Sequence, residues 1–199
     1  MKYLGVKIIL TVVIIVLAYL VVDSVITPIQ FNKIKDQREK QVIEKLKDIR
    51  SSQMIYRNIN NVYTASFDTL IEFLRTGEIP VVKMIADPTD TTFTKTIKDT
   101  IGYISVGDSL FGKRPGYVLD SIKYIPYSGG KLFNMDAGKI ESGGITVNVF
   151  EVTALYSDFL KGLDEQLIRN LIKSKEDIDK YPGMKVGSML EASTDGNWE

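Results

Sequence analysis

Residues 8–22 read IILTVVIIVLAYLVV, fifteen positions without a charge, and Ser24-Val25-Ile26-Thr27 continues the run past Asp23. A helix needs about 20 mainly apolar residues to cross the hydrocarbon of a bilayer. Two spans meet that length. Residues 3–22 reach it with Lys7 snorkelling to the headgroups, and residues 8–27 reach it with Asp23 at the far interface. Lys2 and Lys7 ahead of an apolar run also fit a secretory signal. The best cleavage site, Val22-Asp23-Ser24, is a poor one, and helical sequence continues beyond it without a break. The expectation is an uncleaved anchor over 1–27, with the lipid bilayer as its first partner.

The apolar run also constrains the segment after it. Pro28 should kink or restart the helix rather than end it, because 32–58 contains no Gly or Pro and is rich in Lys, Glu, Gln and Arg. Val42, Leu46, Ile49, Gln53, Tyr56 and Ile59 fall on one helical stripe. Residues 28–60 therefore read as an amphipathic stalk whose stripe covers either its own sheet or another subunit. The stalk holds eight basic and four acidic residues, whereas 61–199 holds fifteen and twenty. The interleaved acids read as a solvated face more than a lipid-binding patch. Lys33, Lys35, Arg38, Lys40 and Lys45 lie close enough to the span to draw the body to the cytoplasmic side by the positive-inside rule.

The remainder, 61–199, reads as one α+β head with a mostly antiparallel sheet on which the long helix packs. Ser66 can cap a short helix with Phe67, Leu70, Ile71 and Leu74 on one face and Gly77 at its end. Val81-Val82-Lys83-Met84-Ile85 is a strand, 87–90 a turn, and 91–106 a β-prone stretch with Gly102 at a bulge. Residues 108–112 suggest a short helical turn, and 121–127 a strand. Gly143-Gly144 separates the Lys139-Ile140 edge from the clearest strand, 145–152. A last helix begins near Asp164, buries Leu167, Ile168, Leu171, Ile172 and Ile178, and stops at Tyr181-Pro182-Gly183. The tail after it reads as polar and flexible.

Composition narrows the chemistry. Basic and acidic residues balance at 25 each, so charge gives no reason to expect nucleic acid. Without cysteine or histidine there is no disulfide, thiolate, His-based triad or common transition-metal site. The sequence holds no Gly-x-Ser-x-Gly or P-loop motif, and its scattered acids form no distinct glycosidase pair. A non-catalytic protein without a small-molecule substrate is expected. Hard oxygen ligands occur at 87–92 and in the tail, where Asp195, Asn197 and Glu199 at spacing two resemble part of a calcium loop. Ca2+ is the one cofactor this raises.

An apolar N-terminal helix, a proline, an amphipathic continuation and a sheet-bearing head resemble type IV pilins and type II secretion pseudopilins. Pro28 resembles the proline that interrupts the pilin stalk. Leu46 to Tyr56, with Gln53 three residues before Tyr56, resembles the end of that helix, and Asn60-Asn61-Val62-Tyr63 resembles the turn into the head. The resemblance covers about the first 75 residues. It implies a pilin-like head, an extracytoplasmic position on the inner membrane, and homo-oligomer or envelope-complex partners met through Val42, Leu46, Ile49 and Tyr56. Counting back from Pro28, the pilin's cleavage-site glycine and intramembrane glutamate fall on Val6 and Thr11. The intramembrane acid is Asp23, at the other end, placed to bond a neighbouring subunit or to mark the interface. The whole chain is also similar to single-span envelope proteins of Bacteroidetes-type bacteria, through 108–113 and the terminal Gly196-Asn197-Trp198-Glu199.

Overall fold

The computed structural model describes residues 3–86 and 96–199. One helix, α1 (Leu4–Asn60), runs unbroken for 57 residues, about 85 Å at 1.5 Å per residue. Pro28 sits inside it. Proline has no N–H to give the Ser24 carbonyl, so the helix loses one bond there and goes on. α1 ends at Asn61, whose left-handed φ of 59° lets its N–H close on the Arg57 carbonyl.

The head is α+β, as the sequence predicts, and its sheets are antiparallel. α2 (Phe67–Thr76) is capped by the Ser66 hydroxyl, which accepts from the Thr69 N–H, and buries Leu70, Ile71 and Leu74. β1 (Glu78–Ala86) and β2 (Thr96–Ser105) pair as a separate two-stranded ribbon. Val81 faces Gly102 and Val82 faces Thr100, so Ile101 is an extra residue and the bulge expected at Gly102 lies beside it. α3 (Val106–Phe111) comes directly after β2, and a 3-10 turn spans Leu119–Lys123. That turn corrects the strand expected over 121–127: Asp120, Ser121 and Ile122 coil so that Ile122 is fully buried, and only Tyr124 bridges to Leu132.

β3 (Asn134–Ser142), β4 (Ile145–Leu155) and β5 (Gly183–Gly187) form the main sheet in the order β3-β4-β5. Gly143 and Gly144, both at positive φ, make the β3–β4 turn the glycine pair predicts. α4 (Tyr156–Phe159) and α5 (Glu165–Glu176) connect β4 to β5. No sequence pattern announces β5, because five residues with two glycines show little alternation. Gly183 is indispensable to it: a Cβ there would stand 2.1 Å from the Ala154 carbonyl oxygen on β4.

The core lies between α1 and this sheet. Val42, Leu46 and Ile49 are fully buried alongside Phe150, Phe159, Leu160, Val152 and Val186. Each such side chain contributes about 1.5–3 kcal/mol of burial. The stripe extends further toward the N-terminus than its apolar residues suggest. Phe31 is buried at its lower end, and between it and Val42 the face is made by the part-buried Lys35, Arg38 and Glu39. Partial burial begins at Thr27 and Pro28 and core packing at Phe31, while every residue from Lys7 to Ile26 is exposed. The head thus starts where the apolar run stops, and no bare shaft separates them.

Candidate functional site

With no catalytic constellation to build, the functional features are surfaces of α1 and what they contact. The first is the exposed apolar length. Ile8, Ile9, Leu10, Ile14, Ile15 and Leu17 are all more than half exposed, and the helix is long and apolar enough to cross a membrane. Near the end of this length Asp23 accepts a hydrogen bond from the Thr27 hydroxyl at 3.2 Å and has no cationic partner among the described residues. Beside it, the Ser24 hydroxyl donates to the Val21 carbonyl.

The second surface is the stripe. Val42, Leu46 and Ile49 are sealed into the chain's own core, so the alternative that they meet another subunit is corrected to the alternative that they cover their own head. Burial of both the stripe and the inner sheet face on each other leaves neither open. Tyr56 is half-buried, edge-on to Phe73 of α2 with centroids 5.0 Å apart. Gln53, polar in the middle of the stripe, is fully buried and makes a reciprocal pair with Thr64. Its Nε2 donates to the Thr64 carbonyl (2.6 Å), and its Oε1 accepts the Thr64 N–H (3.1 Å). The side chain behaves as a piece of strand that fastens the chain where it leaves the helix.

Beside the stripe is an ionic knot that sequence reasoning missed. Asp48 is buried and accepts both arms of Arg114, at 2.7 and 3.0 Å, together with the Tyr117 hydroxyl at 3.0 Å. Tyr117 stacks flat on Phe111 at 4.3 Å, and Arg114 covers both rings. Lys45 donates to the Ser121 hydroxyl at 2.8 Å over the same Tyr117 ring. Burial, then the adjacent Asp48 carboxylate, pushes the Tyr117 hydroxyl well above the usual tyrosine range. Burial pushes the Lys45 ammonium down, and the hydrogen bond to Asp48 raises Arg114. The partners lie 66 and 69 residues from Asp48, so no local spacing announces them. The knot ties the segment after α3 to the helix and leaves no reactive group free.

The tail is the third feature, and the expectation of a flexible one is corrected. Val186 bridges Gly196, the Gly187 N–H donates to the Asp195 carbonyl, and the Asn197 N–H donates to the Lys185 carbonyl. The tail thereby covers the outer edge of β5. Asp195, Asn197 and Glu199 each serve a protein contact. The Asp195 carboxylate accepts from Ser193, the Asn197 amide clamps Lys185 N–H and Gly183 C=O, and Glu199 pairs with Arg50 at 2.7 Å. That pairing holds the Glu199 carboxyl below the usual carboxylate range. Among the described residues no three acids gather closely enough to hold a metal. The other oxygen-rich stretch, 87–92, lies outside the described residues.

Further places are open among the described residues. The β1–β2 ribbon exposes Val81, Val82, Ile101, Tyr103 and Ile104. A cavity of about 390 Å³ lies between the end of α5 and β5, lined by Tyr156, Lys175, Lys180, Tyr181 and Lys185 among others. Its Lys185 is held by Glu151 at 3.3 Å. Comparison with protein-family models, with curated proteins and with solved structures finds no match for the chain.

Proposed function

We propose that this protein is a single-span, non-catalytic subunit of a cell-envelope assembly, held in the inner membrane by 8–27 and acting through a head built directly on its anchor. One observation carries the reading: the same helix that exposes an apolar length up to Ile26, interrupted near its end by Asp23 and Ser24, becomes the central core element of the head from Phe31 on. A soluble protein gains nothing from about 20 exposed apolar residues, and a cleaved leader would not continue as the core helix. The pilin-like expectation for the N-terminal region contributes the extracytoplasmic side and the pilin or pseudopilin type of assembly. The five cations from Lys33 to Lys45 pull toward the cytoplasm. Protease added to spheroplasts separates these: cleavage of the head establishes the outer side, and full protection the inner.

Self-association would use the β1–β2 ribbon, which exposes apolar side chains and whose strands, among the described residues, pair only with each other. The chain has no cysteine, so Ile101→Cys and Tyr103→Cys give clean cross-linking sites. Cross-linked multimers in native membranes are the expected result. A monodisperse monomer in mild detergent, with no cross-linking at either site, would instead favour an anchored binding or adaptor module. The cavity carrying Lys175 and Lys180 is what supports that second reading.

A further inference from the structure

The eight basic residues of the stalk divide cleanly by face. Five are engaged with the protein: Lys35 with Asp36 and Glu39, Arg38 with the Phe159 and Lys161 carbonyls, Lys45 with Ser121, Arg50 with Glu199, and Arg57 over the Tyr63 ring. The other three, Lys33, Lys40 and Lys47, are exposed and have no ion-pair or hydrogen-bond partner among the described residues. They are seven residues apart, so they stack on one face of the helix, opposite Phe31, Val42 and Ile49. Asp36 lies between Lys33 and Lys40 on that face and is bonded to Lys35. Glu44 stands between Lys40 and Lys47, which leaves the row net basic.

The same face is continuous with the apolar surface below it. Ile26 and Ile29 are 45 and 61 % exposed and lead directly to Lys33. On the head side the apolar surface ends earlier: Ser24 lies seven residues before Phe31, and Asp23 and Thr27 flank it. The hydrophobic boundary is therefore slanted. It crosses the head side near Ser24 and the lysine side near Ile29, an offset of about 7 Å along the axis across a helix about 10 Å wide. A flat bilayer surface meets such a boundary when the helix leans about 35° toward its lysine side, within the range of spanning helices. The sheet then rides on the upper side of the lean, with Trp198 of the tail beside Lys40 and Lys47.

We infer that α1 leans in the bilayer away from its head and lays Lys33 and Lys40 on anionic lipid headgroups. This rests on the anchored reading above. Lys33 emerges about 6 Å past Ile29 along the axis, at headgroup level. Lys40 is about 16 Å past Ile29 and comes to roughly 13 Å above the hydrocarbon in the leaning helix, a height that the headgroup layer and a lysine side chain bridge between them. Lys47 stays about a Debye length above the headgroups and adds only long-range attraction. The lipid charge thereby sets the angle at which the head is presented.

The full chain is reconstituted into vesicles of phosphatidylcholine alone or with phosphatidylglycerol, carrying bimane on one introduced cysteine. Gln37→Cys, exposed on the stalk, reports approach to spin-labelled headgroups, and Val16→Cys reports the span to acyl-chain labels. The expected result is stronger quenching at Gln37→Cys in the anionic vesicles. That gain is lost in Lys33→Gln/Lys40→Gln/Lys47→Gln and in high salt, a shift of roughly tenfold in the leaning-to-upright ratio. Val16→Cys stays quenched throughout. Quenching at Gln37→Cys that ignores lipid charge or the lysines overturns the headgroup contact and the setting of the angle by lipid charge, including the case where the row docks an acidic protein instead. Loss of quenching at Val16→Cys overturns the anchor itself, and the lean with it, so the two failures are told apart.

Discussion

At the scale of residues, the contacts that hold the head to its helix are polar groups satisfied at long range. Gln53→Leu keeps the volume but strands the buried Thr64 N–H and carbonyl that the glutamine satisfies. A loss of about 2–4 kcal/mol is expected from two unsatisfied backbone groups. Thermal or denaturant unfolding measures it, and an unchanged midpoint would mean that Thr64 finds water. Tyr117 and Tyr156 supply a pH signature. Burial raises both hydroxyls, with Asp48 adding to the first and Glu39 to the second. Both therefore hold protons more tightly folded than unfolded. Their contribution is complete below the unfolded value of about 10 and is lost as pH rises above it. Lys45, lowered by burial, works in the opposite direction just below its usual value. Net destabilisation above pH 10 is expected, and in Tyr117→Phe the melting temperature falls less steeply between pH 9 and 11.

At the scale of elements, the informative case is the tail. A run of polar residues after a helix gives no periodic signal, yet here it forms an irregular fourth strand and places Trp198 against α1. Trp198 is the only tryptophan and is partly buried against the core, so its emission reports docking. Asn197→Ala removes the clamp on Lys185 and Gly183. A red shift with a stability loss of about 1–2 kcal/mol is expected, and unchanged emission would show that the Val186 bridge and Arg50 hold the tail alone. Elements with strong local chemistry were legible in the sequence. The Ser66 cap, the Gly143-Gly144 turn and the Asp164 start of α5 are all where their residues place them. β5 and the 119–123 turn were not legible, because their form depends on which neighbour covers them. The lower end of the stripe escaped for a related reason: Lys35, Arg38 and Glu39 bury their stems, and Arg38 carries its charge to carbonyls on the head.

At the scale of the molecule, the anchor and the head meet at one boundary. Every residue from Lys7 to Ile26 is exposed, so that length adds no burial to the head. A chain of residues 27–199 should fold as the whole does, remain soluble without detergent, and unfold at a midpoint within a few degrees of the full chain. Aggregation or loss of cooperative unfolding in that fragment would show that the apolar length contributes to the head's core.

The residue order alone determined that a long helix would start apolar and end amphipathic, that an α+β head would come after it, and which short turns and caps would punctuate it, since each depends on periodicity or on one residue's preference for a backbone angle. Tertiary structure decided what the helix faces touch. Whether the stripe closes on its own sheet or on a neighbour, and which of the stalk's cations are engaged and which stay free, depends on partners far along the chain, up to 149 positions away for Arg50. Burial and charge pairing are properties of two surfaces together, and a linear pattern describes only one of them at a time.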